Sequence, residues 1–87
     1  MNNIMNLAFE YLEVGMEFEH IKYPNNNLIL DNKIIIKGGE YVFHAVSING
    51  SPAGFITRSW FYDKRENYRL SKDWLIKKQI KDFINVQ

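Results

Sequence analysis

The 87-residue sequence contains no cysteine and only two prolines and five glycines. Without cysteine the chain has no disulfide framework and no thiolate chemistry, which suits a reducing cytoplasm. No apolar run approaches the roughly eighteen residues that span a bilayer. The first residues, MNNIMNLAFEYLE, carry two carboxylates and no basic leader. We therefore expect no signal peptide and a cytoplasmic location.

An excess of charge of one sign is also missing, because the net charge is only +1. Residues 1–46 carry three lysines against six carboxylates, a net charge of −3, whereas 47–87 carry eight Lys or Arg against four carboxylates, a net charge of +4. A basic half favours contact with phosphate, but bases interspersed with acids are also typical of a solvated face. A near-neutral chain releases few counterions on DNA, so we expect no specific duplex binding at physiological salt.

The hydrophobic share of 46% and the aromatic share of 15% are enough for one compact core. Two domains would leave neither half enough core to fold alone, so residues 1–87 are expected to form a single domain. In residues 4–14, apolar side chains recur at helical spacing and predict an N-terminal helix. Asn2 or Asn3 is the expected cap of this helix, and Gly15 its end.

Apolar residues alternate, or cluster in short β-rich runs, between this helix and the C-terminal quarter of the chain. Such segments predict strands; they are 16–23, 28–30, 33–37, 40–48 and 55–62. The breaks between them are Pro24 with Asn25–Asn27, Asp31-Asn32, Gly38-Gly39, Asn49-Gly50 with Pro52 and Gly54, and the polar turn 63–67. Asn-Gly is the strongest of these signals, because both residues accept positive φ.

Ser71 is expected to cap a C-terminal helix, with Asp73 favourably placed in its first turn. The apolar residues of this helix fall on one stripe, made of Ile76, Ile80, Phe83 and Ile84. The predicted fold is therefore α+β, with an N-terminal helix, an antiparallel sheet of four or five strands and a C-terminal helix.

No residue pattern indicates catalysis, a metal site or a cofactor. His20 and His44 stand alone in their segments without metal-ligand spacing, so each is interpreted as a strand residue with a local partner. None of the serines lies in a Gly-x-Ser-x-Gly elbow, and Gly38-Gly39 lacks the Lys-Ser/Thr of a phosphate loop. We predict a binding protein that is not an enzyme.

Several aromatic and basic residues are suited to a flat anionic ligand. Tyr23 ends a predicted strand, Arg58 and Trp60 lie on one face of the predicted strand 55–62, and Arg65 and Asn67 follow on the loop. Aromatic faces stack on nucleobases, and the Arg fork binds phosphate through two hydrogen bonds. The predicted ligand-binding residues are Tyr23, Arg58, Trp60, Arg65 and Asn67. An alternative explanation is that Trp60 and Tyr62 belong to the core and that the stem of Arg58 lies over them.

Two short segments resemble a known family. In AFEYLEVGMEFEHIKY, Ala8, Leu12 and Gly15 match an Ala-x-x-x-Leu-x-x-Gly pattern, and His20 and Tyr23 stand where the family has Arg and Trp. Near the other end, residues 70–74, Leu-Ser-Lys-Asp-Trp, are similar to a closing Leu-Ala-x-Asp-Trp segment. The order and spacing of both segments resemble the phage anti-Thoeris sponge proteins of the second type.

The resemblance implies a non-enzymatic oligomer that binds a cyclic ADP-ribose-type signal of a bacterial defence system, or a cyclic oligonucleotide, between its subunits. By position, Tyr23 would stack on the ligand, Asn67 would line the polar side of the pocket and Trp74 would be structural. A competing interpretation is a small phage inhibitor that docks on a host or CRISPR protein. Its docking element would be the C-terminal helix, through Lys72, Lys77, Lys78 and Lys81.

Overall fold

The computed structural model describes residues 6–23 and 25–86, with side chains through residue 80. It is an α+β fold with a five-stranded antiparallel sheet of strand order β4-β3-β2-β1-β5. The elements in chain order are a 3-10 turn at Phe9–Tyr11, β1 (Glu17–His20), β2 (Leu28–Ile35), a 3-10 turn at Lys37–Gly39, β3 (Tyr41–Ser47), β4 (Pro52–Ile56), α1 (Arg58–Lys64), a 3-10 turn at Arg65–Asn67, β5 (Tyr68–Leu70) and α2 (Lys72–Val86).

The core lies on one face of the sheet. Phe18, Leu30 and Phe43 point to this face and are at most 1% exposed. Phe9 from the N-terminal 3-10 turn and Phe61 from α1 cover them. The ring centroid of Phe9 lies 5.9 Å from those of both Phe43 and Phe61. The N-terminal turn and α1 therefore supply the second layer that the apolar face of the sheet requires.

The hairpin predicted at Asn49-Gly50 is confirmed. It joins β3 to β4, and the Gly50 N–H donates to the Ser47 carbonyl oxygen at 2.9 Å. Only Gly50 takes a positive φ, at 90°, whereas Asn49 does not. The Asn49 carboxamide oxygen instead accepts the Ser51 N–H at 3.2 Å, so its contribution to the turn is a side-chain hydrogen bond.

The two strands predicted at 28–30 and 33–37 are one strand, β2. Its pairing with β3 shifts register between Leu30 and Asn32, so Asp31 is an extra residue in the ladder and not a break in it. The Asp31 carboxylate lies 2.7 Å from His44 Nδ1 on β3, which ties the bulge to the neighbouring strand.

The predicted N-terminal helix over 4–14 is wrong for the part of it that the structure describes. Helical geometry is limited to the 3-10 turn, and Leu12 is already extended, with φ −70° and ψ 144°. Side chains from α1 and the segment after it form hydrogen bonds with backbone groups that would otherwise bond within a helix. The Tyr62 hydroxyl accepts the Phe9 N–H at 2.9 Å, and Arg65 Nη1 donates to the Leu7 carbonyl oxygen at 2.8 Å.

The remaining predictions for residues 2–24 have different outcomes. Gly15 does adopt a positive φ, at 101°, but in the turn that leads into β1. Ile4 and the helix caps predicted at Asn2 or Asn3 lie outside the described residues, as does the break predicted at Pro24.

The predicted strand over 55–62 is wrong in its second half, which forms α1. The Thr57 hydroxyl caps this helix by accepting the Trp60 N–H at 3.0 Å. Phe61 is then directed into the core and is 1% exposed. The aromatic residues of this segment favour a strand by composition, but a local cap together with core burial overrides that preference.

Two shorter segments also differ from expectation. The last strand of the hairpin begins earlier than predicted, at Pro52, because the first residue of an edge strand can lack a ladder donor. The predicted polar turn 63–67 is the end of α1 followed by a 3-10 turn, and β5 was not expected at all.

The predicted cap at Ser71 is confirmed. α2 begins at Lys72, and the Ser71 hydroxyl accepts the Asp73 N–H at 3.2 Å. Ser71 is 1% exposed, so water cannot easily replace this hydrogen bond. The helix therefore starts where the sequence places its cap.

Ser71→Ala is expected to lower the free energy of unfolding by about 1 kcal/mol, since the Asp73 N–H loses its acceptor. Urea denaturation followed by circular dichroism measures the change. Ser59→Ala is the control, because Ser59 is exposed on α1 and accepts no capping bond. Equal effects of the two substitutions would contradict the cap.

Candidate functional site

Four ring side chains from separate segments form a continuous row at one end of the sheet. We call Tyr23, His20, Tyr68 and Trp60, in this order, the aromatic row. The ring centroids of Tyr23 and His20 are 5.0 Å apart, those of His20 and Tyr68 4.9 Å, and those of Tyr68 and Trp60 5.8 Å. These distances are typical of aromatic contact.

Strand pairing brings the middle of the row together. His20 is the partner of Tyr68 in the β1–β5 ladder, so their side chains lie side by side on one face. The ladder continues beyond β1, because the Ile21 N–H donates to the Asn67 carbonyl oxygen at 2.9 Å. Asn67 is therefore fixed next to the row through its backbone, with an exposed side chain.

Tyr23 is held at the open end of the row by its own backbone. Its N–H donates to His20 Nδ1 at 3.1 Å, and its carbonyl oxygen accepts the Asn26 N–H at 2.9 Å. The side chain is nevertheless 54% exposed. An exposed ring on a constrained backbone is preorganised for stacking, because little backbone freedom is lost when a ligand binds.

The inner part of the row is less accessible. Tyr68 and Trp60 are half-buried and pack against the hydrophobic core. Burial raises the pKa of the Tyr68 hydroxyl, so this ring is neutral at physiological pH. The row thus runs from an exposed stacking face into the domain.

The two arginines that the sequence predicted for phosphate binding contact the N-terminal segment. Arg58 forms an ion pair with Glu10 that lowers the pKa of the carboxyl group and raises that of the guanidinium group. Its guanidinium carbon lies 4.9 Å from the centroid of the Phe9 ring. Arg65 binds the Leu7 carbonyl oxygen and lies over the Tyr62 ring, 4.8 Å from its centroid.

Tyr62→Phe is expected to lower the free energy of unfolding by about 1–3 kcal/mol, because the buried Phe9 N–H would lose its acceptor. Tyr11→Phe is the matched control, since Tyr11 is 71% exposed and its change should stay within about 0.5 kcal/mol. Chemical denaturation gives both values. If Tyr62→Phe were as neutral as the control, the hydroxyl would not anchor the N-terminal segment.

Of the five predicted ligand-binding residues, the structure brings Tyr23, Trp60 and Asn67 to the aromatic row and engages Arg58 and Arg65 elsewhere. Trp60 lies on a helix and not on the predicted strand, and it is partly a core residue, as the alternative explanation proposed. Sequence reasoning missed Tyr68, and it treated His20 as a strand residue that stands where the resembling family has Arg. Their pairing depends on β5, which has no clear sequence signal at three residues long.

The helix α2 exposes two of its apolar residues to solvent. Ile76 and Ile80 are 53% and 56% exposed. Trp74, by contrast, packs against the core, and Lys78 lies 3.5 Å from the Glu13 carboxylate. The predicted stripe is thus a solvent-facing surface as far as side chains are described, which excludes Phe83 and Ile84.

A shallow cavity of about 270 Å³ lies between α2 and the loop before β1. Its lining residues are Glu13, Val14, Gly15, Trp74, Lys77 and Lys78. Because Lys78 is paired with Glu13, Lys77 is the cation of the cavity lining that has no carboxylate contact within the described residues. It is a weaker candidate for an anionic ligand than the aromatic row.

Within residues 6–23 and 25–80, no three His, Asp or Glu side chains meet in a group that could hold a metal ion. Over the described part of the chain, neither helix has the length and apolar character needed to cross a membrane. No protein-family model, curated protein or solved structure matches this protein significantly.

Proposed function

We propose that the protein is a non-catalytic sponge of phage type, which binds and sequesters a cyclic nucleotide or cyclic ADP-ribose-type signal in the host cytoplasm. The observation that carries this proposal is the aromatic row, in which Tyr23 presents an exposed ring on a constrained backbone. A flat nucleobase of any type can stack on such a ring, and each stacked base contributes about 1–3 kcal/mol to the binding free energy.

The polar side of the proposed site comes from the residues around Asn67, whose carboxamide can both donate to and accept from a base edge. For Arg58 to bind a ligand phosphate, the phosphate would have to displace the Glu10 carboxylate. Likewise, Arg65 would have to leave the Leu7 carbonyl oxygen. We assign both arginines a secondary role in binding for this reason.

The row covers only one side of a bound ring. A second copy of the chain would supply the opposite wall and exclude water from the ligand, which is the arrangement that the resemblance implies. We therefore propose that the active form is a homo-oligomer.

Native mass spectrometry of the purified protein, mixed separately with cyclic ADP-ribose isomers, cyclic di-AMP and a cyclic trinucleotide, tests the proposal. It reports the number of subunits and the retained ligand together. We expect an oligomer that retains one of these compounds unchanged in mass. If none binds at millimolar concentration in calorimetry, or if the bound compound is cleaved, the sponge proposal is wrong.

A second candidate function, a docking inhibitor of a host or CRISPR protein, is supported by the exposed stripe of α2. Its flanking cations include Lys72 and Lys77, so the partner that fits is a protein with an apolar groove bordered by carboxylates. Helical anchors at i and i+4, here Ile76 and Ile80, are the usual contacts of such docking.

The double substitution Ile76→Gln and Ile80→Gln separates the two functions. Docking predicts an unchanged thermal midpoint and lost protection of phage plaques in cells that carry a targeting CRISPR nuclease. Retained protection would rule out docking through this stripe. A change in oligomer mass alone would assign the stripe to contact with a second copy of the chain.

A further inference from the structure

We infer that His20 is a fixed hydrogen-bond donor in the aromatic row. Its imidazole is held as the Nε2–H tautomer, and this N–H donates to an anionic oxygen of the ligand. This inference rests on the proposed function for the identity of the ligand. The tautomer itself follows from the hydrogen bonds of the turn after β1.

Nδ1 of His20 faces two amide donors. The Lys22 N–H lies 3.0 Å from it and the Tyr23 N–H 3.1 Å. A ring nitrogen that accepts hydrogen bonds carries no proton, so the neutral imidazole must have its proton on Nε2. A proton on Nδ1 would place three N–H donors together without an acceptor. The Lys22 and Tyr23 amides would then lose the hydrogen bonds that hold the turn.

Two tyrosine rings contact the imidazole of His20. The ring centroid of Tyr23, from the turn, lies 5.0 Å from that of His20, and the ring centroid of Tyr68, from β5, lies 4.9 Å from it. No carboxylate within residues 6–23 and 25–80 forms an ion pair with His20. His44 differs, because its Nδ1 lies 2.7 Å from the Asp31 carboxylate. The Nδ1 atom of His20 therefore contacts two amide donors, whereas the Nδ1 atom of His44 contacts a carboxylate.

Nε2 of His20 forms no hydrogen bond with any group of the described residues, and His20 is partly exposed. A donor at this position matters because the two predicted phosphate-binding arginines, Arg58 and Arg65, form their hydrogen bonds with the N-terminal segment. The row itself is made of stacking rings, and the Nε2–H of His20 adds a hydrogen-bond donor between Tyr23 and Tyr68. The chemical group that it recognises is a phosphate oxygen of a nucleotide whose base stacks on Tyr23.

His20→Asn and His20→Gln separate the two functions of the imidazole. The Asn side chain ends near the position of Nδ1, so its oxygen can still accept the turn amides while the donor at Nε2 is lost. The Gln side chain reaches the position of Nε2 with an amide donor but leaves the turn without its acceptor. We expect His20→Asn to weaken binding of cyclic di-AMP roughly tenfold to a hundredfold, with binding of adenosine, the phosphate-free probe, little changed.

His20→Gln should instead keep the preference for cyclic di-AMP over adenosine and lower the thermal midpoint. Calorimetry with both probes and a thermal melt of each variant give these values. The tautomer is read independently of any ligand by two-dimensional NMR of the ¹⁵N-labelled imidazole rings at pH 7.5, where His20 should show a protonated Nε2 and an unprotonated Nδ1.

A protonated Nδ1 in that spectrum would overturn the inference at its structural step. The expected tautomer together with unchanged cyclic di-AMP affinity in His20→Asn would overturn the donor role and leave the proposed function standing. If the wild type bound neither cyclic di-AMP nor adenosine, the donor role would be overturned, and the result would also count against the proposed function. Selective loss of cyclic di-AMP binding in His20→Asn supports the inference.

Discussion

Phe43→Ala is expected to lower the free energy of unfolding by about 3–5 kcal/mol, because it removes a large ring from the centre of the core. Phe43 is 0% exposed, and its ring contacts those of Phe9 at 5.9 Å and Tyr41 at 5.8 Å. Domains of this size have total stabilities of about 5–15 kcal/mol, so the variant should be close to unfolding at 37 °C. Urea denaturation followed by tryptophan fluorescence measures the change.

Phe55→Ala is the matched control for this prediction. Phe55 lies on the neighbouring strand β4, pairs with His44 across the ladder and is 58% exposed. Its truncation should cost about 1 kcal/mol, well below the value for Phe43, since more than half of the residue stays in contact with water. If Phe55→Ala destabilised the protein as much as Phe43→Ala, the core would not lie on the face of the sheet that α1 covers.

Tyr23→Ala is expected to weaken binding of the nucleotide ligand about tenfold to a hundredfold, which corresponds to the roughly 1–3 kcal/mol of one aromatic stacking contact. The fold should be preserved, because the Tyr23 side chain is 54% exposed and the turn is held by backbone groups. Isothermal calorimetry gives the affinities, and a thermal melt verifies the fold.

Tyr11→Ala is the control for ligand binding. It removes an equally large and even more exposed ring, at 71%, from the N-terminal turn and outside the aromatic row. Its affinity should match that of the wild type. Equal losses in both variants would indicate non-specific contact with exposed aromatics, and equal affinity in both would place the ligand elsewhere on the protein.

Features that depend on neighbouring residues were predictable from the sequence. The alternation in β3, the turn at Asn49-Gly50 and the cap at Ser71 all reflect local backbone preferences, and the structure contains each of them. The α+β class and the antiparallel sheet follow from the same signals.

Features decided by distant contacts were not predictable in this way. The N-terminal segment has the spacing of a helix, but its backbone groups bond to Tyr62 and Arg65, more than fifty residues away along the chain. At residues 58–62 a β-rich composition competed with the cap at Thr57, and burial of Phe61 decided the outcome. Local preference gives way to tertiary contacts in both cases.

The candidate site shows the same division. An exposed aromatic after a strand marks Tyr23 from the sequence alone, whereas the row depends on the pairing of His20 with Tyr68 between strands far apart in the chain. The partners of Arg58 and Arg65 also come from a distant segment, so their engagement there could not be foreseen. The sequence therefore predicts residue types suited to a ligand but not how they converge.

Binding of a flat anionic nucleotide at the aromatic row can be measured by titrating the ¹⁵N-labelled protein with cyclic di-AMP and following its amide and indole signals by NMR. We expect saturable shifts that concentrate at residues 20–23, at Asn67 and Tyr68 and at the Trp60 indole, with the signals of α2 unchanged. Shifts confined to residues 72–80, or no saturable change up to millimolar ligand, would contradict it.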